Sequence, residues 1–157
     1  VTENARLTAE AALLLVMEST GRSLWKRRCV VVGFGRIGKL LALGLQRCGA
    51  RVTVLARKAA DQALAGSLGM EAFSPAEGPG EDTELVFNTA PAQALSTEAL
   101  LALPEDCLWV ELASAPGGLP KGISLPLSVL PAGGLPGRLL PDSAARVLYD
   151  AILRLGN

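Results

Sequence analysis

The chain has 157 residues, half of them apolar, and its 15 basic and 15 acidic side chains cancel to a formal net charge of zero. This length and composition predict one globular domain with a substantial core and exclude an intrinsically disordered chain. The balanced charge argues against a nucleic-acid or anionic-membrane surface, and no apolar run approaches the roughly 20 residues of a membrane span.

The histidine and cysteine content limits the chemistry available to this chain, and the first residue bears on whether it is a whole protein. Histidine is absent, so the commonest acid–base residue and metal ligand is missing. The three cysteines, Cys29, Cys48 and Cys107, lack the spacing of a metal site, so we expect reduced thiols, no metal and a cytoplasmic location. Val1 stands where a methionine would begin a whole protein, so we expect a fragment of a longer one.

Short apolar strands alternate with helical stretches along the chain. Apolar spacing predicts a lead-in helix over about 4–20, with an inner face of Ala9, Leu13, Val16, Met17 and Thr20. Strands are predicted at 29–33, 51–56, 70–73, 85–89, 107–113 and 127–132, with helices between them at 36–48, 61–68 and 97–103. A final helix is predicted over about 141–155, with an inner stripe of Ala145, Leu148, Ile152 and Leu155.

This alternation determines the expected fold class. Strands joined by helical crossovers give a parallel sheet with helices on both faces. The sequence therefore predicts a doubly wound, Rossmann-like α/β fold with six strands in the order 3-2-1-4-5-6. Residues 1–157 would form a single dinucleotide-binding domain.

Residues 32–38 read VGFGRIG, directly after the first strand and at the start of a helix. In such a motif Gly33 permits a tight turn, Gly35 permits close approach of a diphosphate, and Gly38 permits close packing of helix on strand. The free N–H groups of the helix start attract phosphate oxygens. We therefore predict a cofactor site that includes Gly33, Phe34, Gly35, Arg36, Ile37 and Gly38. A glycine turn that binds nothing is the plainer alternative, and Arg36 fits a phosphate contact and a solvated surface position equally well.

The end of the second strand bears on the choice of cofactor. An NAD site usually places an acid there to bind the ribose hydroxyls, but this chain has Ala56, Arg57 and Lys58, and no acid before Asp61. Two cations would attract the extra phosphate of NADP. We therefore predict NADP, with NAD as the alternative. Two solvated cations that bind nothing are a second alternative.

Polar residues after the later strands complete the predicted crevice. Asn88, Thr89, Ala90 and Pro91 follow the fourth strand and are predicted to line the nicotinamide side. The fifth strand ends at Ala113 and Ser114, which are predicted to approach the nicotinamide or the substrate. Glu111 lies within that strand and would need a partner there, so we expect it to bind a neighbouring backbone loop, with a position facing the crevice as the alternative.

Six segments together resemble the nucleotide-binding domain of one family, the A subunits of bacterial dipicolinate synthase. They are NARLTAEAAL (4–13), VVGFGRIGKLLA (31–42), GARVTVLAR (49–57), VFNTAPA (86–92), LASAPGG (112–118) and GGLPG (133–137). By position, the resemblance assigns Gly33, Gly35, Gly38, Arg36 and Arg57 to the cofactor, with Asn88, Thr89 and Pro91 flanking it. The chain departs from the family pattern at Glu111, where the family favours Asp, and at LLPDSAA (139–145).

The resemblance implies an NADP-dependent oxidoreductase with a further domain ahead of this one. Its substrate would be a small dicarboxylate of dihydrodipicolinate type, converted to dipicolinate during sporulation in the mother-cell cytoplasm. Its partner would be the B subunit of dipicolinate synthase, and a homo-oligomer stays open. We expect this chain alone to be inactive.

Three other functions fit the sequence. The chain could be the cofactor domain of a shikimate-dehydrogenase-like enzyme, or of a 2-hydroxyacid-dehydrogenase-like enzyme, which the lack of histidine disfavours. It could also be a nucleotide-sensing module without catalysis. No catalytic residue can be assigned, because Glu111 and Lys121, the titratable candidates near the crevice, fit structural or solvated positions better.

Overall fold

A computed structural model describes residues 2–155, without the side chain of Leu155. The strands are β1 (Arg28–Val32), β2 (Arg51–Leu55), β3 (Glu71–Phe73), β4 (Leu85–Asn88), β5 (Leu108–Glu111) and β6 (Ser128–Pro131). The α-helices are α1 (Thr2–Thr20), α2 (Arg36–Arg47), α3 (Ala59–Ser67), α4 (Thr97–Leu101), α5 (Leu135–Leu139) and α6 (Pro141–Leu155), and Pro75–Glu77 form a 3-10 turn.

The six strands form one parallel sheet in the order β3-β2-β1-β4-β5-β6, which confirms the predicted doubly wound topology. In the register of this sheet, Val32 of β1 aligns with Leu55 of β2 and with Asn88 of β4. Asn88 in turn aligns with Glu111 of β5. Four strands therefore end at the same level, and the loops that follow them lie along one edge of the sheet.

Side chains that alternate along each strand build two core layers. Cys29 and Val31 of β1 pack into one layer together with buried residues of α1 and α2. Val30 and Val32 pack into the other layer with Trp109 of β5. Burying each such side chain contributes about 1.5–3 kcal/mol. The central strands β1 and β4 are apolar on both faces because both faces are covered, whereas the edge strands β3 and β6 are largely exposed.

The structure corrects two predicted helix faces. Met17 of α1 is 36% exposed, although the predicted inner face included it, and burial of this helix instead reaches Leu7, Ala11 and Leu15. The error is larger in α6. The helix has the predicted bounds, but Leu148 is 62% exposed and the rest of its predicted stripe that the structure describes, Ala145 and Ile152, is also exposed. Leu155 belongs to that stripe, but its side chain lies outside the described residues.

Two short helical segments were missed by the sequence analysis. The 3-10 turn at Pro75–Glu77 lies between β3 and β4, where no helix was predicted, and α5 lies in the Gly- and Pro-rich segment that follows β6. Both segments are very short and contain proline, so they carry too little periodicity to be recognised as helices. Within residues 2–155, no helix is long and apolar enough to cross a membrane.

The three cysteines are free thiols. Cys29 and Cys107 are buried, and loss of solvation raises the pKa of each to about 12. Cys48 is exposed at the end of α2.

Candidate functional site

The glycine motif lies at the carboxyl end of β1, where the chain enters α2. Gly35 is the N-cap of α2, and no side chain caps this helix start. The first backbone N–H groups of any helix lack acceptors within the helix. At the start of α2 these N–H groups point toward the predicted crevice. The helix dipole places a partial positive charge at this same end of α2.

The three glycines of the motif differ in what surrounds them. Gly33 has a φ of +92°, and a Cβ there would lie 2.6 Å from Thr89 Oγ1. A Cβ on Gly38 would collide with the carbonyl oxygen of Gly33. The fold itself therefore requires both of these glycines. Gly35 has an ordinary φ of −76°, and a Cβ there would meet nothing within 4 Å. Glycine suits the N-cap position, but no steric contact in the described residues requires it at 35, and the space above it is open.

The remaining residues of the motif fall into two groups. Phe34 is 4% exposed and belongs to the core, while Ile37 is half-buried. Arg36 is exposed in the first turn of α2, and makes no hydrogen bond or ion pair within residues 2–155. Its guanidinium is thus free to meet an anion at the helix start.

The turn after β2 presents two cations. Ala56 is buried, its N–H donates to Phe73 O at 3.0 Å, and its carbonyl accepts from Gln62 Nε2 at 2.7 Å. Arg57 and Lys58 are exposed, and neither forms an ion pair in the described part of the chain. The turn is therefore fixed through its backbone while its two charges face solvent.

The first acid after β2 is engaged elsewhere. Asp61 lies in α3, where its Oδ1 is 3.6 Å from Lys39 Nζ of α2. Lys39 also lies over the ring of Phe34, 5.6 Å from its centroid. Neither Lys39 nor Gln62 was among the predicted site residues. The ion pair of Lys39 with Asp61 joins residues about 20 positions apart in the sequence, and the hydrogen bond of Gln62 to Ala56 joins residues 6 positions apart. Both contacts form only on folding, and no motif spacing in the sequence predicts them.

The turn after β4 is bound to the end of β1 and to itself. Thr89 donates its hydroxyl to Val32 O at 2.9 Å. Asn88 is completely buried, and its amide both donates to Ala90 O at 3.0 Å and accepts from Ala90 N at 3.2 Å. The side chain of Asn88 therefore supports the crevice from beneath rather than lining its surface. Pro91 is exposed at the rim.

The loop after β5 folds over the carboxylate of Glu111. This half-buried acid accepts hydrogen bonds from Asn88, Trp109, Ala113 and Gly118. The prediction that Glu111 binds a neighbouring backbone loop is confirmed. Ala113 is half-buried and Ser114 is exposed beside it. Lys121 lies farther along, exposed and without a hydrogen bond or ion pair among residues 2–155.

The structure thus brings the turns after β1, β4 and β5 together at one edge of the sheet, where the crevice was predicted, through the contacts of Thr89 with Gly33 and of Asn88 with Glu111. A separate cavity of ≈ 670 Å³ lies beside β2 and β3, and is lined by residues such as Arg51, Thr53 and Glu71. It shares no residue with the crevice. Its lining also includes the segment around Gly78 that joins β3 to β4 without a long helix.

A match to a protein-family model identifies the class of protein to which this chain belongs. Residues 23–118 match a family model described as "Putative NAD(P)-binding", which spans more than half of the chain. The chain therefore belongs to this NAD(P)-binding family, and its fold and glycine motif agree with that class.

The particular relative follows from two further matches. Over 156 residues the chain is 29% identical to the A subunit of dipicolinate synthase from Bacillus subtilis (strain 168), covering 97% of this chain and 52% of that protein. The crystal structure of the A subunit of dipicolinate synthase from Bacillus halodurans superposes with a TM-score of 0.88 at 29% identity, covering 98% of this chain and 55% of that one. These matches confirm the resemblance identified from the six sequence segments. The chain spans about half the length of these relatives.

A third match bears on the fold alone. A transhydrogenase from Sinorhizobium meliloti has a TM-score of 0.70 at 18% identity, covering 92% of this chain and 52% of that one. The same doubly wound architecture thus recurs at low identity.

Proposed function

We propose that this chain is the NADP-binding domain of an oxidoreductase that resembles the A subunit of dipicolinate synthase. The observation that carries the proposal is the open space above Gly35 at the uncapped start of α2. A diphosphate that approaches the backbone closely would require a glycine at 35, whereas no neighbouring atom in the described residues does. The N–H groups of that helix start would bind the phosphate oxygens.

The preference for NADP rests on the turn after β2. Arg57 and Lys58 are exposed and without ion pairs in the described residues, whereas the nearest acid, Asp61, is paired with Lys39. A 2′-phosphate at this turn would meet two cations without ion pairs in the described residues, and the charge of Asp61 would be offset by Lys39. Arginine is suited to phosphate through its planar set of donors. NAD would lack this contact and would bind more weakly.

The proposed reaction follows the relatives. The whole protein would oxidise a dihydrodipicolinate-type dicarboxylate to dipicolinate by removing two electrons as a hydride to the nicotinamide and one proton to solvent. The segment that the relatives have beyond the matched half would supply the substrate domain, and the B subunit of the synthase would be the partner, in the mother-cell cytoplasm during sporulation. Bound NADP would supply the hydride chemistry. The residues of this chain would hold and orient it.

Parallel calorimetric titrations with NADPH and NADH test this proposal. We expect saturable binding of both nucleotides, with NADPH the tighter by about tenfold or more, as one charge-assisted arginine–phosphate contact gives. Binding of neither nucleotide would overturn the proposed function. Tighter binding of NADH would overturn the assignment of NADP and leave the dinucleotide site in place.

A further inference from the structure

The carboxylate of Glu111 uses both of its oxygens to bind the rim of the crevice. Oε1 accepts from Asn88 Nδ2 at 2.6 Å and from Ala113 N at 3.3 Å. Oε2 accepts from Trp109 Nε1 at 3.0 Å and from Gly118 N at 3.0 Å. An ionised carboxylate only accepts hydrogen bonds and has about four lone-pair sites, so this set of four donors fits it completely.

Three of these four donors belong to two different rim turns, and the fourth, Trp109, lies within β5. Asn88 ends β4 and binds both backbone groups of Ala90, so it determines the path of the turn after β4. Ala113 and Gly118 lie at either end of the loop that follows β5. One side chain therefore connects the turn at 88–91 to the loop at 113–118.

The loop after β5 packs directly on this carboxylate. A Cβ on Gly118 would lie 2.5 Å from Asn88 Nδ2 and 2.8 Å from the Trp109 ring. A Cβ on Gly117, which has a φ of +80°, would lie 3.2 Å from Glu111 Oε2. The two glycines let the loop come within hydrogen-bonding distance of Glu111, and a side chain at 118 would push it away.

We propose that Glu111 is a positioning residue, which holds the two rim turns in the geometry that receives the nicotinamide half of the dinucleotide. The identity of the ligand in this inference rests on the proposed function. The positioning role itself rests only on the hydrogen bonds of Glu111. Glu111 does not contact the ligand. It acts through Asn88 on the turn at 88–91 and through backbone amides on the loop at 113–118.

The substitution Glu111→Gln tests this role with almost no change of shape. An amide has one oxygen and one NH2 group, so in either orientation two of the four donors face another donor. We expect the amide proton of either Ala113 or Gly118, whichever then faces the NH2 group, to exchange with solvent at least about tenfold faster in the ligand-free variant, because its acceptor is lost. Unchanged exchange at both amides would overturn the inference, whether or not any nucleotide binds.

Nucleotide titrations separate positioning from general damage to the fold. NADPH spans the crevice, whereas adenosine 2′,5′-bisphosphate has only the adenosine end and does not reach the rim. We expect Glu111→Gln to weaken NADPH by about tenfold or more while the bisphosphate stays within about twofold. Equal loss for both ligands, or no loss for either, would overturn the positioning role. If the unsubstituted chain bound neither ligand, the proposed function would fail, and the exchange measurement would still decide the role of Glu111 in the loops.

Two further variants keep the test decisive. Gly118→Ala leaves Glu111 in place but pushes the loop at 113–118 away from it. We expect the same selective loss of NADPH affinity in this variant. If Glu111→Gln does not fold, Gly118→Ala takes its place in the test. Glu84→Gln removes an acid that precedes the opposite end of β4, where it contacts no residue of the rim. It should leave the ratio of the two affinities unchanged, and a shift equal to that of Glu111→Gln would contradict the inference.

Discussion

Thr89 Oγ1 lies 2.9 Å from the carbonyl oxygen of Val32 and occupies the space that a side chain on Gly33 would need. The turn after β4 and the turn after β1 are therefore held together by Thr89, whose hydroxyl and backbone N–H both donate to that oxygen. Gly33 serves this contact, whereas Gly35, two residues later, has open space around it. The two glycines should respond to substitution in opposite ways.

Gly33→Ala should destabilise the fold, and Gly35→Ala should weaken nucleotide binding. At 33 the positive φ and the collision with Thr89 together cost more than about 2 kcal/mol in the free energy of unfolding. At 35 alanine weakens the N-cap of α2 by at most about 1 kcal/mol. Its methyl group would occupy the space assigned to the diphosphate, so NADPH affinity should fall by about tenfold or more.

Urea unfolding and NADPH titration of both variants check this pair of predictions. Gly35→Ala with full NADPH affinity would show that the diphosphate does not lie above residue 35. Gly33→Ala with unchanged stability would show that the turn after β4 can move away from β1.

Arg57→Asp should reverse the nucleotide preference. Loss of one arginine–phosphate contact removes about 1.5–3 kcal/mol of NADPH binding, and a carboxylate at this position repels the 2′-phosphate and accepts from ribose hydroxyls instead. NADPH affinity should therefore fall by about tenfold to a hundredfold, while NADH affinity stays or rises. Parallel calorimetric titrations measure both changes.

Arg51→Asp is the matched control for that variant. Arg51 is exposed at the amino end of the same strand, β2, so the net charge changes equally at the wrong edge of the sheet. Its effect on the ratio of NADPH to NADH affinity should be less than about twofold, because exposed charges that far apart are largely screened. Equal effects of the two variants would point to net charge rather than to a contact at 57.

The parts of this molecule that sequence reveals are those with local signals. The central strands are apolar runs, and the spacing of Gly33, Gly35 and Gly38 joins a strand to a helix within six residues. Right-handed crossovers then determine the order of the strands. For this reason the sheet and the glycine turn were predicted correctly.

The parts that sequence hides are those that depend on folding. The four donors around Glu111 come from residues 88, 109, 113 and 118, which meet only because β4 and β5 are neighbours in register. The need of Glu111 for a partner could be predicted from its place in a strand, but which residues satisfy it could not. In the same way, the position of Asn88 after a strand suggested a lining residue, and its complete burial appears only in the fold.

Glu84 should make stability depend on pH. Burial opposes its ionisation, but the backbone N–H of Arg28 and the charges of Arg27 and Arg22 outweigh this, and the pKa of Glu84 lies below its ordinary value of 4.5. A lowered pKa in the folded state stabilises the fold above about pH 4.5, and this contribution is lost as the pH falls through the folded-state value. Arg27, only 8% exposed in its side chain, depends on this partner 3.5 Å away.

Glu84→Gln should therefore cost about 1–3 kcal/mol of unfolding free energy near pH 7, because a buried guanidinium loses its counter-charge. The cost should be smaller at about pH 3 than at pH 7, because protonation of wild-type Glu84 increases as the pH falls toward its lowered folded-state pKa. Asp82→Asn is the control, since the pair of Asp82 with Arg28 is exposed and worth less than about 1 kcal/mol. Denaturant unfolding at the two pH values gives the free energy of unfolding of the wild-type chain, of Glu84→Gln and of Asp82→Asn. A cost for Glu84→Gln that is independent of pH would rule out the ionic origin.

The last prediction concerns the outer face of α6, where the sequence has an amphipathic pattern but the apolar side chains are not buried. The spacing of Ala145, Leu148 and Ile152 marks an apolar stripe, but the pattern does not say whether a neighbour covers it, and within this domain the stripe faces solvent. Leu148→Ala should change the free energy of unfolding by less than about 0.5 kcal/mol. The same substitution at Leu41 of α2, which is fully buried, should cost about 2–5 kcal/mol. Both are helical leucines replaced by a strong helix former, so propensity cancels in the comparison. Denaturant unfolding of the two variants gives the difference directly, and a loss above about 1 kcal/mol for Leu148→Ala would show that α6 packs through its predicted stripe after all.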